Sequence, residues 1–357
     1  MSNEWLLVIN PGSTSTKTAV FKGDELKWYA SLEHFLDDLK PYNRIVEQFS
    51  FRKQVIESAL AEQGFDLQDF AAVAARGGLL KPVQGGTYLV NEQMLADLRE
   101  CKYGEHASNL GALAASELAS PYGMPAYIVD PVVVDELNPL ARISGMPGIS
   151  RKSIFHALNQ KAVARRYCRE HNKKYEEVNL IIAHLGGGIS VGAHEKGKVV
   201  DVNNALDGDG PFSPERAGGL PVGEVIKMSF SGDFTQDQLR KQFVGRGGLA
   251  AYLGTNDART VEERIQDGDE TAKLVYQAMA YQVAKEICAC AGVLFGKVDA
   301  VILTGGLVYS KMLTDWIKER VEFLAQVVFY PGEDEMGALA QGVLRVLRGE
   351  EEALIYK

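Results

Sequence analysis

Cysteine is scarce in this 357-residue chain, and its arrangement matches neither a disulfide framework nor a paired CxxC motif. There are 4 cysteines, at Cys101, Cys168, Cys288 and Cys290. Cys288 and Cys290 are close in sequence within a stretch of helical pattern, so their side chains point in different directions. A disulfide scaffold is therefore excluded, and we expect reduced thiols in the core.

Basic charge is also in short supply. Lys plus Arg total 38 against 47 Asp plus Glu, which leaves a formal net charge of -9. Such a chain is a poor partner for nucleic acid or for an anionic membrane, so we expect neither as a partner. Any anion that the protein binds must be held by a local site.

Long apolar runs are missing as well. The chain begins MSNEWLLVIN, which has no basic segment and an apolar run far too short for a signal peptide or a membrane span. We therefore expect a cytoplasmic protein. Its length is sufficient for two domains of ordinary size, each with its own core.

What the sequence does contain is an alternation of two hydrophobic patterns. Short apolar runs, each typical of a buried strand, are WLLVIN, FAAVAAR, PAYIVD, VNLIIAHL, DAVILTGG and AQVVFY. Segments with helical periodicity lie at Phe51–Gln63, Asn91–Glu100, Ser108–Ala119, Ile154–Glu170, Thr271–Phe295 and Met336–Arg348. This alternation predicts an α/β fold.

Two segments of the chain repeat the same order of elements. Residues 6–29, LLVINPGSTSTKTAVFKGDELKWY, and residues 180–202, LIIAHLGGGISVGAHEKGKVVDV, each contain an apolar strand, a Gly-containing reversal, a second strand, a short turn and a third strand. The copies start about half a chain length apart, which indicates a duplicated domain rather than one sheet. Two like domains are expected to form a cleft, with one turn from each pointing into it.

The reversal in the first copy, PGSTSTK, collects hydroxyl groups and a cation. Backbone N–H groups near Gly12, the hydroxyls of Ser13 and Ser15 and the ammonium of Lys17 can converge on a phosphate, with Asn10 beside them. The segment is not a Walker A loop, because the residues after Lys17 continue as a strand. A hairpin turn that merely favours Ser and Thr is an equal alternative on the pattern alone.

The second copy has three consecutive glycines at the same point. Gly186–Gly188 follow the strand that contains His184, and they allow backbone to approach a ligand closely. A loose hairpin turn is the alternative, and His184 by itself is more often a hydrogen-bonded core residue. The pair Gly305–Gly306 before Leu307 lies between a strand and a helix, where nucleotides bind but where plain connectors also occur.

Three arginines stand in Gly-rich loops, where a surface charge gains little. They are Arg76 in ARGG, Arg151 in GISRKSIFH and Arg216 in SPERAGG. Arginine prefers such positions when it holds a carboxylate or phosphate, so the three together favour an anionic substrate. Asp257 and Arg259, by contrast, stand at the start of a predicted helix and are typical of an N-cap and a solvated first turn.

Two carboxylates stand at the ends of predicted elements. Asp130 in YIVDPVV and Glu335 in GEDEMGA can either hold Mg²⁺ through water or serve as turn and N-cap residues. The DGDG sequence at 207–210 lacks the later ligands of a calcium loop, so no calcium site is predicted. The stretch 203–223 around it has no periodicity and is dense in Gly and Pro, which indicates a functional loop.

Taken in chain order, these motifs resemble the acetate and butyrate kinase family, which has the actin-like, sugar-kinase-like and Hsp70-like ATPase fold. The matching segments are VINPGSTSTKTAVF, ARGG, SRKSIFHALNQKAVARR, IIAHLGGGISVGAH, GPFSPERAGGLPVG and ILTGGL. The resemblance covers essentially the whole chain. It implies two duplicated actin-like (ribonuclease H-like) domains with a central ATP and substrate cleft, at 1–150 and 151–334, with a C-terminal helix in 335–357 that packs back on the first domain.

The resemblance also implies a reaction. The family transfers the γ-phosphoryl group of ATP to a short-chain carboxylate, which gives an acyl phosphate and ADP, and the reaction runs readily in reverse. We therefore expect ATP/ADP and Mg²⁺ as cofactors, a small carboxylate as substrate, and a homo-dimer or larger homo-oligomer. A carboxylate is already ionised at neutral pH, so this chemistry requires no general base. Its difficulty is to bring two anions together, which cations make possible.

Roles follow from the resemblance position by position. The first phosphate motif matches Asn10, Ser13, Ser15 and Lys17, and the second matches Gly186, Gly187 and Gly188, next to His184. The nucleotide-binding positions match Asp257, Arg259, Gly305, Gly306 and Leu307. Arg76 matches the arginine that holds the substrate carboxylate, Asp130 the catalytic aspartate and Glu335 the glutamate associated with magnesium. Because no base is required, we expect Asp130 to position Mg²⁺ or the acyl group.

Departures from acetate kinases limit this mapping. The active-site arginine that follows their FTP motif has no in-register match beyond FSP at 212–214, which leaves Arg216 as a candidate and Pro214 as a pocket residue. Arg151 and His156 compete for the position of the histidine in their FHGTSH motif. Gly187 stands where acetate kinases usually have Asn. These departures favour the butyrate branch.

The identity of the acid depends on the acyl pocket. Gly77 and Gly78 beside Arg76 suggest an acyl pocket widened for a longer chain. Kinases of acetate, propionate or a branched acid such as isobutyrate are the alternatives within the family. An actin-like ATPase without a metabolic substrate is the alternative outside it, although Arg76 and the FSPERAGG loop argue against a filament or chaperone module.

Overall fold

The computed structural model describes residues 4–357, apart from the side chain of Leu36. The chain divides into two compact units, one made of residues 4–134 with 334–357 and the other of residues 135–333. Each unit has one sheet with helices packed on it, and this confirms the α/β class. None of the described helices is long and apolar enough to cross a membrane.

The first unit is built on a seven-stranded sheet with the order β12-β5-β6-β4-β1-β2-β3. Its strands are β1 (Trp5–Pro11), β2 (Ser15–Lys22), β3 (Glu25–Glu33), β4 (Ala72–Arg76), β5 (Thr87–Leu89), β6 (Ala126–Val129) and β12 (Leu354–Ile355). Its helices are α1 (Leu36–Leu39), α2 (Phe49–Glu62), α3 (Glu92–Arg99), α4 (Asn109–Ala119) and α13 (Glu335–Leu347).

The centre of this sheet is apolar on both faces because helices cover both. Leu7 and Ile9 of β1 pack in one core cluster with Ile56 and Leu60 of α2 and with residues of α4. Side chains alternate along a strand, so Leu6 and its alternate neighbours face the other side, where they are equally buried. The C-terminal helix α13 packs on β1, β4 and β6.

The second unit is built on a five-stranded sheet with the order β11-β10-β7-β8-β9. Its strands are β7 (Asn179–Leu185), β8 (Ile189–Glu195), β9 (Lys198–Val202), β10 (Ala300–Gly305) and β11 (Val327–Pro331). Its helices are α5 (Pro139–Arg142), α6 (Ala157–Glu170), α7 (Val222–Ser229), α8 (Gln236–Phe243), α9 (Gly248–Leu253), α10 (Ala258–Gln266), α11 (Glu270–Val293) and α12 (Lys311–Val321). Leu180 and Ile182 pack with α6, whereas Ile181 and Ala183 pack with α11.

The repeat seen in the sequence is present in both sheets. In the first unit, β1 pairs antiparallel with β2, β2 with β3, and β1 lies parallel to β4. In the second unit, β7, β8 and β9 form the same antiparallel run, and β7 lies parallel to β10. The order β4-β1-β2-β3 is therefore repeated as β10-β7-β8-β9, and the two Gly-containing reversals occupy equivalent places.

The division of the chain differs from the expected boundary at residue 150. Residues 135–150 belong to the second unit because polar contacts tie them to it. The N–H of Asn138 donates to Val200 O at 2.8 Å, and Lys161 Nζ lies 2.9 Å from Glu136 Oε2. A boundary drawn from the sequence has no access to these contacts.

The sequence patterns did not indicate every element. The short helices α7, α8 and α9 were not predicted, and neither were the short strands β5 and β12. Between β10 and α12 the chain forms a 3₁₀ turn, Gly306–Tyr309, where a direct passage from strand to helix was expected. Six predicted helices are present with ends shifted by up to three residues, for example α6, which begins at Ala157 rather than Ile154.

Candidate active site

Four predicted residues meet at one edge of the first unit's sheet. Asn10 and Lys17 are opposite each other in the antiparallel pair β1-β2, and Arg76 ends the neighbouring strand β4. All three point at Glu335, the first residue of α13. Asn10 Nδ2 donates to Oε2 at 2.7 Å, Arg76 Nη1 donates to Oε1 at 2.7 Å, and Lys17 Nζ lies 3.8 Å from Oε2.

Asp130 lies at the same edge of this sheet. It follows Val129 of β6, and Val129 is the register partner of Arg76 in the parallel pair β4-β6. Its backbone has φ of 37°, in the left-handed region that an L-residue seldom adopts. The Oδ1 atom accepts the N–H of Gly86 at 2.7 Å, and the Asp130 N–H donates to Gly86 O, which holds the buried carboxyl in place.

His106 is a residue of this edge that the sequence did not point to. It lies in the loop between α3 and α4, where its Nδ1 accepts the N–H of Ser108 at 3.2 Å. Burial lowers the pKa of His106, and the charge of Arg76 lowers it further. His106 therefore lies within electrostatic range of Arg76. A single His in an aperiodic loop carries no sequence signal for such a role.

Gly77 and Gly78 have a packing role in the structure. A methyl group at Gly77 would lie 2.5 Å from Cβ of Pro131, and one at Gly78 would lie 2.6 Å from Cα of Asn109. Both positions face packed atoms rather than open space. These glycines therefore let the chain after β4 pass close to the start of α4. Their effect on the width of an acyl pocket stays a prediction.

In the second unit, the three predicted glycines connect β7 and β8, and another loop rests on them. Ser213 Oγ donates to Gly187 O at 2.5 Å. A methyl group at Gly188 would lie 2.0 Å from Nη1 of Arg216, and one at Gly187 would lie 2.9 Å from Oε1 of Glu215. The FSPERAGG loop therefore lies directly against the glycine turn, and the guanidinium of Arg216 occupies the space that a side chain would take.

Two stacked histidines stand beside this turn. The rings of His156 and His184 are 3.7 Å apart at an interplanar angle of 10°. His184 is buried, with Nδ1 2.8 Å from Asn159 Oδ1 and Nε2 3.1 Å from Glu333 Oε1. His156 Nδ1 lies 2.9 Å from Ser190 Oγ. The hydrogen-bonded core histidine expected from sequence is thus found, but it supports a second imidazole.

A small cavity opens beside Arg216. Its volume is about 190 Å³, and its walls combine apolar side chains with the acidic loop at 207–209. Residues that line it include Ile189, Leu220, Val225, Phe243 and Arg216. Arg216 Nη1 donates to Ala205 O at 2.5 Å. Pro214 does not line this cavity; its carbonyl accepts the N–H of Ala250.

Arg151 and Asp257, two further predicted site residues, make structural contacts. Arg151 donates from Nη1 to Asp201 Oδ1 at 2.8 Å and lies 3.5 Å from Asp209, so its guanidinium is engaged in structural ion pairs. Asp257 caps α10 by accepting the N–H of Arg259 at 3.0 Å, and both side chains are exposed. This is the N-cap arrangement that the pattern indicates.

The last glycine pair contains one position under strong constraint. Gly305 has φ of 95°, and a methyl group there would lie 2.4 Å from Leu185 O. The end of β10 can approach the end of β7 only because the residue is glycine. Gly306 faces open space, and it begins the 3₁₀ turn that also contains Leu307.

A magnesium ion would find few direct ligands. Among residues 4–357, no cluster of three or more His, Cys, Asp or Glu side chains has the geometry of a metal site. Glu335 Oε1 and Oε2 each accept one hydrogen bond and keep acceptor capacity for a water molecule. Mg²⁺ commonly keeps several waters and binds through one or two carboxylates and substrate phosphates, which Glu335 and Asp130 fit.

Comparisons with known proteins find similarity to kinases of short carboxylic acids. A sequence profile described as the Acetokinase family matches residues 145–325. Butyrate kinase 2 of Clostridium acetobutylicum is 56% identical over 352 residues, which is 99% of this chain and 99% of that protein. Among solved structures, acetate kinase of Porphyromonas gingivalis has a TM-score of 0.78 at 19% identity and covers 96% of this chain and 100% of its own. A propionate kinase of Francisella tularensis has a TM-score of 0.73 at 18% identity, with 95% and 98% covered.

Proposed function

Because the chain belongs to the acetokinase family, we propose that it transfers the γ-phosphoryl group of ATP to butyrate, with butanoyl phosphate and ADP as products. The reaction runs in both directions. The choice of butyrate is supported by the 56% identity to a butyrate kinase over nearly the full length of both chains. The nucleotide follows from the kinase family, and the acid is the finer part of the proposal.

One observation in the structure carries the proposal. Asn10, Lys17 and Arg76 all direct N–H donors at a single carboxylate, that of Glu335. A site that holds one carboxylate with a guanidinium, an ammonium and an amide is chemically suited to hold a second anion beside or in place of it. An acyl carboxylate and a phosphoryl group are such anions.

The chemistry requires charge neutralisation more than proton transfer. An oxygen of the ionised butyrate carboxylate attacks the γ-phosphorus, and the bond from that phosphorus to the β,γ-bridging oxygen breaks as ADP leaves with the electron pair. No proton is consumed at neutral pH, so no base is required. Arg76 orients the carboxylate, and Lys17 stabilises negative charge on the transferring phosphoryl oxygens.

Residues around the first reversal supply further phosphate contacts. Asn10, Ser13 and Ser15 accompany Lys17 on β1, β2 and the turn between them. We assign Asp130 and His106 to the same edge as groups that position the acyl substrate, since Asp130 is held by Gly86 and His106 lies within electrostatic range of Arg76.

In the second unit, the proposed phosphate-binding backbone is the turn at Gly186, Gly187 and Gly188. Arg216 and His156 are the proposed groups that stabilise the phosphoryl, with His184 as the support of His156. Arg151 is set aside because its guanidinium is occupied by Asp201 and Asp209. The adenosine portion is assigned to Asp257, Arg259 and the Gly305, Gly306 and Leu307 turn, on family position alone.

Magnesium is the proposed metal cofactor. It would supply charge neutralisation for the phosphates when bound. Glu335 and Asp130 are the proposed carboxylates that hold it through water, which is supported by their acceptor capacity at the edge of the first sheet. Within the chain, Asn10 and Arg76 orient Glu335 through its two oxygens.

The cellular location and the oligomeric state of the protein are also proposals. The four cysteines are all unpaired as disulfides, as expected for a reducing compartment, and we assign the protein to the cytoplasm on that support. We further propose that it forms homo-oligomers, as the resemblance implies.

The test of function is an acid series. The purified protein is incubated with ATP, Mg²⁺ and straight or branched acids of two to five carbons, and hydroxylamine traps any acyl phosphate as a hydroxamate. We expect the largest kcat/KM with butyrate. A maximum with isobutyrate, propionate or acetate would move the proposal to that acid within the same family. ATP hydrolysis without trapped product from any acid would refute it in favour of an ATPase.

A further inference from the structure

Arg52 is a fully buried arginine in the first turn of helix α2, in the first unit. Its side chain is only 1% exposed. Among residues 4–357 it forms no ion pair with a carboxylate, and burial lowers its pKa to about 10. A buried cation without a counter-ion is costly unless its donors are satisfied. What satisfies them is therefore informative.

The partners of Arg52 are carbonyl groups of the first reversal. Nη1 donates to Gly12 O at 2.7 Å and to Ser15 O at 3.0 Å, and Nη2 donates to Ser13 O at 2.9 Å. The same guanidinium also reaches Thr16 Oγ1 at 3.2 Å. One side chain from α2 thus holds the carbonyls of residues that the proposed function places at a phosphate.

The direction of these carbonyls determines the direction of the neighbouring amides. In a trans peptide the C=O and the following N–H point to opposite sides of the chain. Since Gly12 O and Ser13 O point at Arg52, the N–H groups of Ser13 and Thr14 point away from it. Neither N–H donates to another group among residues 4–357, and both residues are exposed.

We propose that Arg52 is a positioning residue for nucleotide binding: it fixes the carbonyls of Gly12 and Ser13 on the buried side, so that the N–H groups of Ser13 and Thr14 face a phosphate of ATP. The inference rests on the proposed function of this turn. Two adjacent N–H groups that converge on one side form an anion-binding concavity. The guanidinium behind them adds positive potential that water screens only weakly.

Neighbouring side chains hold Arg52 in this pose. Gln48 Oε1 accepts from Nη2 at 2.9 Å and from Nε at 3.3 Å. His34 Nε2 lies 2.8 Å from Thr16 Oγ1, which is itself an acceptor for Arg52. Burial, and then the charge of Arg52, lower the pKa of His34 to about 4, so this imidazole is neutral at pH 7 and adds no competing charge.

The test compares ATP binding in variants of the full chain. Arg52→Gln removes the charge and the forked donors, and we expect the dissociation constant for Mg·ATP to rise roughly 10- to 100-fold. The KM for butyrate should stay within about twofold, because Arg76 is untouched. Arg52→Lys keeps the charge but lacks the planar fork, so its effect should be intermediate.

The matched control is Leu60→Ala on the same helix. Leu60 is 1% exposed and packs in the hydrophobic core of the first unit. It should lower thermal stability while leaving ATP affinity unchanged in the folded fraction. If Arg52→Gln and Leu60→Ala both bind ATP normally once the folded fraction is taken into account, the inference is overturned. Should Arg52→Gln fail to fold, Gln48→Ala loosens Arg52 without removing it, and a normal ATP affinity there also overturns the inference.

Amide hydrogen exchange gives a readout that does not depend on catalysis. In the unmodified protein, ATP should slow exchange at Ser13 and Thr14, and in Arg52→Gln this slowing should be lost. The acid series tests the proposed function separately. Trapped acyl phosphate together with unchanged protection in Arg52→Gln would leave the kinase and remove the inference. ATP-dependent protection that requires Arg52, without product from any acid, would leave the inference and remove the butyrate kinase.

Discussion

The two reversals of the repeat occupy equivalent places in two sheets but are supported in different ways. The first, residues 12–14, is rich in hydroxyl groups and is held from behind by the buried cation of Arg52. The second, residues 186–188, is entirely glycine and is held from the front, where Ser213 and Arg216 lie against it. The cation of the first reversal, Lys17, lies on the strand that follows it, β2. The cation next to the second reversal, Arg216, comes from a separate loop. A duplicated fold thus retains the position of a turn while its supporting chemistry changes.

A methyl group added to each turn distinguishes the two kinds of support. At Gly188 the methyl would lie 2.0 Å from the end of the Arg216 side chain, so Gly188→Ala should displace the guanidinium at little cost in folding. We expect kcat/KM to fall about 100- to 1000-fold. At Gly12 the nearest atoms would lie 3.5 Å away, an ordinary contact, so Gly12→Ala should be mild.

Steady-state kinetics and thermal melting measure this pair of changes. Gly292→Ala serves as the control in the second unit, because nothing lies within 4 Å of its methyl position. Equal losses in Gly12→Ala and Gly188→Ala would show that the two turns are not supported differently.

The cation of the first reversal gives the next largest effect. Lys17 is 46% exposed and lies 3.8 Å from Glu335, so its ion pair contributes little to stability. Lys17→Ala should therefore lower kcat about 100-fold, with a melting temperature close to that of the unmodified protein. Lys22→Ala, on the same strand, is the control. A large loss of stability with normal kcat in the folded protein would show that the reversal is a structural turn without a role in catalysis.

The third change separates the arginines of the second unit. Arg151→Met leaves Asp201 and Asp209 without their cation, in a region that also contains the half-buried Glu286. We expect the free energy of unfolding to fall by about 2 kcal/mol, since the groups are only partly buried, while kcat stays near normal. Denaturant titration and kinetics measure the two. A collapse of kcat with normal stability would give Arg151 the role that we assign to Arg216.

The smallest effect is a pH dependence confined to the first reversal's support. The pKa of His34 is lowered from 6.5 to about 4 in the folded protein, so the unfolded chain binds its proton first as pH falls. Its contribution to stability is therefore present above pH 6.5 and is lost as pH falls toward 4. We expect a loss on the order of 1 kcal/mol over the first pH unit below 6.5, measured by urea unfolding. His34→Gln should flatten the dependence, and an unchanged slope would contradict this view of the network.

Sequence patterns predicted the fold class and the repeat, because these depend on local periodicity. The residues at the first sheet edge were named one by one, and their roles came from the family resemblance. Asn10 and Lys17 were candidates because they flank a hydroxyl-rich turn, and Arg76 was a candidate because it precedes a pair of glycines. The parallel pairing that brings Arg76 beside Asp130 also follows from an α/β pattern.

The remainder depends on contacts between distant parts of the chain. Arg52 stands in a helical pattern where an arginine usually faces water, and only the packing of α2 turns it toward Gly12. In the sequence, Gly77 and Gly78 suggest open space beside Arg76. In the structure, Pro131 lies close to Gly77 and Asn109 lies close to Gly78. Arg151 and Arg216 have similar Gly-rich surroundings, and their different partners become visible only in the folded unit.

If phosphoryl transfer requires an acid acceptor, phosphorus-31 NMR detects that requirement in a single reaction. With ATP and Mg²⁺, spectra are recorded with butyrate and without it. We predict a new acyl phosphate resonance that grows with ADP only when butyrate is present, and that regenerates ATP when ADP is added in excess. Release of ADP and inorganic phosphate at the same rate with and without butyrate, and with no acyl phosphate signal, would contradict the account.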